Sequence, residues 1–157
     1  MARRGARMLV AAVAGISGLT ALATPAAAEA DAKVMPMTSV VRACDFSVSP
    51  HTWRTGYARA VALVRLAAAG SVPVEVQLQT AVPNTDYYVK VFQMPRGSAD
   101  CAVAPIGVRT DAVGAATITV NAPIDAGTTG IWVSVERPDP YSQQPAEVYT
   151  SDFIAAV

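Results

Sequence analysis

Thr80-Ala-Val-Pro-Asn-Thr-Asp-Tyr-Tyr-Val-Lys-Val-Phe92 joins two strand-like runs, and its reading decides the fold class. Upstream, Val74, Val76, Leu78 and Thr80 alternate with Glu75, Gln77 and Gln79, the period of a strand with one buried face. Pro83-Asn84-Thr85-Asp86 then supplies turn chemistry. Tyr87-Tyr-Val-Lys-Val-Phe92 follows at once, rich in aromatic and β-branched residues. The two runs read as a central hairpin.

Pro83, Thr85, Tyr87, Val89 and Val91 stand at the spacing P-x-T-x-Y-x-V-x-V. That spacing resembles the tyrosine corner of fibronectin type III and related immunoglobulin-like sandwiches. There a Tyr hydroxyl bonds back to backbone a few residues upstream. The resemblance implies a sandwich with Tyr87 as a structural corner residue.

Outward from this stretch, the alternation recurs. Ser39 to Ser49 reads as a strand with Val40, Arg42, Cys44, Phe46 and Val48 inward, and residues 31 to 38, without a clear period, as a lead-in. Tyr57 to Ala69 is alanine-rich, which favours helix, yet its strand-like neighbours argue for a pleated partner. Its Ala58, Ala60, Ala62, Val64 and Leu66 would then line one face. Ala102 to Arg109 is a weak strand, and Pro105 and Gly107 suit it to a sheet edge. Ala115 to Asn121, Ile131 to Glu136 and Glu147 to Ala155 complete the set, while three prolines exclude 137 to 145 from a central strand. The expectation is all-β: an antiparallel immunoglobulin-like β-sandwich of about seven to eight strands. Only three of these strands precede Tyr87, an order unlike that of fibronectin type III.

The N-terminus reads as a leader. Arg3, Arg4 and Arg7 form a basic segment, and Met8 to Leu22 is an apolar run of signal-peptide length. Ala26-Ala-Ala28 and Ala28-Glu-Ala30 both fit a cleavage site, so residues 1–30 are expected to be a cleaved signal peptide and 31–157 one domain. No later run is long enough to span a membrane, so no membrane insertion is expected after signal removal. Of the twelve basic and twelve acidic residues in the chain, nine and eleven then remain. A mildly acidic domain without basic runs does not suit nucleic acid. Cys44 and Cys101, in an exported chain, read as a disulfide. In the chain-entropy model closing so long a loop stabilises the fold by roughly 4 kcal/mol. Arg outnumbers Lys ten to two beside heavy Ala and Val use. In that bias the chain resembles the small exported β-sandwich proteins of high-GC Gram-positive bacteria, secreted or associated with the cell wall.

Catalysis and metal binding find little support. His51 is the single histidine, no Cys-x-x-Cys occurs, and there is neither a Gly-x-Ser-x-Gly elbow nor a Ca²⁺ loop. No cofactor, no metal and no enzymatic activity are expected. Binding is better supported, because His51, Trp53, Arg54 and Tyr57 gather within seven residues of one loop, and Trp, Tyr and Arg dominate interface energetics. A second candidate is the proline-rich segment 137 to 145, where Asp139, Tyr141, Gln143 and Gln144 would be presented rigidly. Trp132 opposes Ile131 and Val133 by strand alternation, so either both faces of that strand are covered or Trp132 marks a surface patch. The sequence thus reads as an exported binding module for an unknown protein or glycan. The alternative is a carrier of a small apolar ligand, held between the sheets or under a loop. A hydrolase using His51 comes third.

Overall fold

The computed structural model describes residues 32–50, 56–65, 67 and 69–157, and every regular element among them is a β-strand. The expected leader, the His51 to Thr55 stretch and Leu66 lie outside the described residues. The strands are β1 (Lys33–Thr38), β2 (Arg59–Val64), β3 (Ser71–Gln79), β4 (Asp86–Met94) and β5 (Ile106–Arg109). They continue with β6 (Ala116–Pro123), β7 (Gly130–Arg137), β8 (Glu147–Ser151) and β9 (Ala155–Ala156). All neighbours are antiparallel, in the order β5-β4-β7-β8-β1-β2-β3-β6, with β9 added beside β7.

The expected all-β antiparallel class holds. The form is one continuous sheet wrapped almost into a barrel rather than two separate layers. The half β1-β2-β3-β6 meets the half β5-β4-β7-β8 through a short seam, Met37 opposite Ser151 and Thr38 opposite Thr150. Both halves turn one face to a shared core. Met35 and Met37 enter it from β1, Val72, Val74, Val76 and Leu78 from β3, and Ile131, Val133 and Val135 from β7. Each such side chain gains about 1.5–3 kcal/mol on leaving water, and only the strand period places a whole row of them on one side.

Several expectations need correction. The runs 74–80 and 87–92 do not pair as a hairpin: β3 bonds to β2 and β6, and β4 to β5 and β7. The 80–85 link is a crossover between the two halves. It is too long for a two-residue turn, and Thr80 and Asn84 both adopt positive φ. Residues 33 to 38 are a strand, not a lead-in. Pro36 hid it, but the Pro36 carbonyl accepts from the Asp152 N–H at 3.0 Å. The proline nitrogen faces that same side, so the β1–β2 ladder loses no donor.

Conversely, Ser39 to Ser49 is a folded loop rather than a strand. The Asp45 carboxylate accepts from the Ser47 N–H and hydroxyl, the Phe46 N–H bonds to the Ala43 carbonyl, and Phe46 has a φ of 70°. Side-chain capture of backbone by Asp defeats the ladder there. Val40 and Val48 are exposed, and Arg42 lies 3.9 Å above the Phe46 ring instead of reaching inward. The alanine-rich run is a strand over Arg59–Val64, because β1 and β3 pair on both of its sides. Residues 102 to 105 stay outside β5, which ends the sheet as Pro105 and Gly107 suggest. The last run breaks at Asp152-Phe153-Ile154. There Asp152 turns to β1, and the Ser151 hydroxyl takes the Val133 N–H that the ladder leaves open.

The disulfide forms between Cys44 and Cys101, with Cα atoms 5.4 Å apart. It ties the 39–49 loop to the 95–105 loop over the outer face of β4 and β7. Cys44, Phe92 and Trp132 make a second buried cluster there, joined by Phe46, Met94 and Val103. Trp132 stacks on Phe92 at 4.1 Å and meets Phe46 at 5.7 Å, so both faces of β7 are covered. Such a bond fits an oxidising, extracellular environment. Replacing both cysteines by serine should destabilise the protein by about 2–5 kcal/mol. In a Trp53→Phe background, tryptophan emission should shift to the red as the cover over Trp132 loosens. The unreduced parent should take up no alkylating reagent. Unchanged emission after removal of the bond would show that the loops cover Trp132 without it.

Candidate functional site

One end of the wrapped sheet is built on a buried carboxylate. Glu147 opens β8 directly opposite Arg137 of β7, and it is 8% exposed. Arg137 donates Nε and Nη2 to Glu147 Oε1, both at 2.9 Å. Glu147 Oε2 accepts from the Tyr149 hydroxyl at 2.9 Å and the Tyr87 hydroxyl at 3.2 Å. The period of two puts Glu147 and Tyr149 on the inner face of β8, and Tyr87 reaches them from the start of β4. A buried charge is costly unless paired and hydrogen-bonded, and these three partners meet that condition.

The tyrosines pass the constraint on to the backbone. The Tyr87 oxygen accepts from the Val82 N–H at 3.1 Å, five residues upstream, and the Tyr149 oxygen accepts from the Ala58 N–H at 3.0 Å. A Cβ on Gly56 would overlap the Tyr149 hydroxyl, so only glycine lets the chain pass that close. Burial pushes both phenol pKa values up from the usual value, and the Glu147 carboxylate adds to the rise against the opposing backbone donors. The neighbouring loops are knitted together too. Buried Thr110 donates to the Val82 carbonyl at 2.6 Å and accepts from the Thr85 N–H at 3.0 Å. Gly114, at a φ of 76°, lets its carbonyl take the Ala81 N–H at 3.0 Å. The Asp111 carboxyl is held below its ordinary value by the Ala115 and Val113 N–H groups.

Above this base lie exposed apolar side chains. Tyr57 is 91% exposed, Tyr141 95%, Val113 75% and Val82 40%. The Thr80 hydroxyl donates to the Tyr57 carbonyl, and Tyr57, Ala81, Val82 and Glu147 line one small hollow. Tyr57, Val82 and Val113 therefore sit on linked segments. Tyr141 tips the 138–146 loop at the same end, where Asp139 and Ser142 bond back to the loop's own backbone.

Of the residues singled out from sequence, Tyr57 and Tyr141 are on this surface, whereas His51, Trp53 and Arg54 lie outside the described residues. Trp132 is elsewhere, 1% exposed beneath the disulfide-tied loops, with its indole Nε1 lacking a hydrogen-bond partner among the described residues. A cavity of about 270 Å³ adjoins it, lined by Arg42, Lys90, Phe92, Glu136 and Thr150 among others. Sequence reasoning missed Glu147, Tyr149, Arg137 and Gly56. The Glu-x-Tyr spacing on one strand face was a visible signal, but its partners are far away along the chain. Among the described residues no group of three or more His, Cys, Asp or Glu could hold a metal ion. No family model, curated protein or solved structure matches this chain. The surface must be read from its own chemistry.

Tyr87→Phe removes both the acceptor for the Val82 N–H and a donor to Glu147, and should cost about 1–3 kcal/mol. Tyr88 is 38% exposed on the opposite face, so Tyr88→Phe should stay within about 0.5 kcal/mol. Denaturant midpoints with the disulfide intact check the pair, and equal losses would refute the assigned register. The raised phenol pKa values also set a pH dependence. Each neutral tyrosine contributes fully below its unfolded value of about 10, and the contribution is lost as pH climbs through the higher folded value. Stability should therefore fall above pH about 10. The fall should be shallower in Tyr149→Phe, as urea melts across pH 8 to 11 would show.

Proposed function

We propose that this protein is an exported, non-catalytic recognition module of bacterial origin, whose loops at one end bind a protein or glycan outside the cell. One observation carries the reading: Tyr57 and Tyr141 stand almost wholly exposed at the end where Glu147 fastens the strands. Exposed tyrosines on rigid supports give amphipathic contact area at low entropic cost. The hydrogen-bonded loops beneath them would keep that cost small.

The same reading takes the fold as immunoglobulin-like. With β2, β3 and β6 as strands A, B and E, and β5, β4, β7 and β8 as C′, C, F and G, the order agrees with that class, β1 being an addition between A and G. The loops 80–85, 110–115 and 138–146 then share one end, the arrangement such domains use for recognition. Tyr87 falls between B and C, not at the E–F corner where the family has its tyrosine. It makes the same kind of bond at a different crossover.

The test is binding to arrayed glycans and to proteins of the surrounding cell surface, by parent, Tyr57→Ala and Tyr141→Ala. Affinity should drop about tenfold or more in each variant, the loss of a hot-spot side chain, with denaturant midpoints unchanged. Full binding by the double variant would overturn the reading. A second reading, a carrier of a small ligand, is favoured by the cavity beside Trp132 and its indole N–H, which has no partner among the described residues. A small molecule retained on native purification, together with a shift in Trp132 emission on its removal, would establish that reading instead.

A further inference from the structure

The two ends of the strand order are finished differently. β5 has four residues, follows Pro105, contains Gly107, and ends in Arg109, whose Nη1 pairs with both Asp86 oxygens at 3.0 Å. Shortness, proline and charge are the usual means of blunting an edge. β6 has eight residues, A-T-I-T-V-N-A-P, without a charged side chain, and its only proline is the last residue. Among the described strands it pairs with β3 alone. On the far side the Pro123 carbonyl takes Gln93 Nε2 at 3.0 Å, and the backbone groups of Thr117, Thr119 and Asn121 form an open row that can template another strand.

We propose that β6 pairs antiparallel with β6 of a second copy of this chain, Thr119 lying opposite Thr119 across a two-fold axis. The absence of charge is the first support, because a charge at the axis would face its own copy and one elsewhere would need an opposite charge at the position related to it by symmetry. The register follows from Pro123, which has no N–H to give. The usable edge is Ala116 to Ala122, and Thr119 is its midpoint. In this register Thr117 meets Asn121 and Thr119 meets Thr119 on the exposed face, while Ile118 meets Val120 on the core face. Hydroxyl and amide groups pair outside, and apolar side chains pair over the core. A slip of one residue would oppose outward to inward positions and lose both sets.

The experiment is sedimentation velocity of the purified protein over a concentration series, with the variants Thr119→Lys and Thr119→Glu. The parent should form a reversible dimer. Each single-charge variant should dimerise about tenfold or more weakly, since like charges then face each other directly. An equimolar mixture of the two should restore a dimer, because the introduced lysine would face the introduced glutamate only in the proposed register; a variant that merely misfolds could not be rescued in this way. Gly107→Lys on the other edge should leave association unchanged. Amide exchange over 116–122 should slow as protein concentration rises. A parent that stays monomeric at millimolar concentration overturns the proposal. So does a dimer indifferent to both charges, a mixture that fails to re-form, or slowed exchange on β6 that appears only when a different protein is added.

Discussion

Glu147 is the point on which the two halves of the sheet depend. Its carboxylate is buried and both oxygens are occupied, by Arg137 on one side and by two tyrosine hydroxyls on the other. Those hydroxyls hold the backbone at Val82 and Ala58, where the chain leaves β3 and approaches β2. One charge thus fixes the mutual placement of β8, β7 and β4 and the approach to β2. The geometry also carries register. A one-residue slip of β8 would turn Glu147 and Tyr149 to the outer face and leave Arg137 and Tyr87 facing nothing. Removing a partner from such a group costs more than the bond itself was worth, because the remaining charge stays buried.

The period of two made β3, β4, β6 and β7 legible in the sequence, since each carries a row of β-branched or aromatic residues on the core side. β1 was not legible: its inward residues are Met35 and Met37, neither β-branched, with Pro36 between them. Only the pairing partners show that the proline nitrogen is turned away from the β2 ladder. The 39–49 loop misled in the opposite sense. Val40, Cys44, Phe46 and Val48 alternate, but Asp45 and Ser47 are two residues apart and form a turn that outcompetes pairing. At the candidate site, Tyr57 and Tyr141 were legible as candidate contacts from residue type and loop position, but their exposure was not. Glu147 could not, since Tyr87 stands 60 residues before it and no local pattern marks the meeting.

Tyr87 shows how a correct local reading can sit inside a wrong pairing. The spacing from Pro83 to Val91 does mark a tyrosine whose hydroxyl returns to upstream backbone, and the bond to the Val82 N–H is there. The inference that the flanking strands pair with each other does not follow from it. A hydroxyl bonded five residues back braces a bend in the chain, and a bend serves a crossover between two halves of a sheet as well as a hairpin. Which of the two occurs is decided by partners remote in sequence, β6 for β3 and β7 for β4.

The outer faces of β4 and β7 and of β3 and β6 carry opposite chemistry, and this explains where the disulfide lies. On β4 and β7 the outward residues include Phe92 and Trp132, too much apolar surface to leave in water. The 39–49 and 95–105 loops cover them, and the Cys44–Cys101 bond keeps two long loops from drifting apart. On β3 and β6 the outward residues are Glu75, Gln77, Gln79, Thr117, Thr119 and Asn121, which need no cover. Those two strands can stay bare on their face, but bareness does not protect the β6 edge. Polar side chains above a strand leave its backbone groups as open as before, and β6 lacks the charge and brevity that close off β5 and carries its proline only at its last residue. The face of β4 and β7 is finished within one chain, whereas β6 ends the other side with the backbone groups of Thr117, Thr119 and Asn121 turned away from β3 and open to another strand.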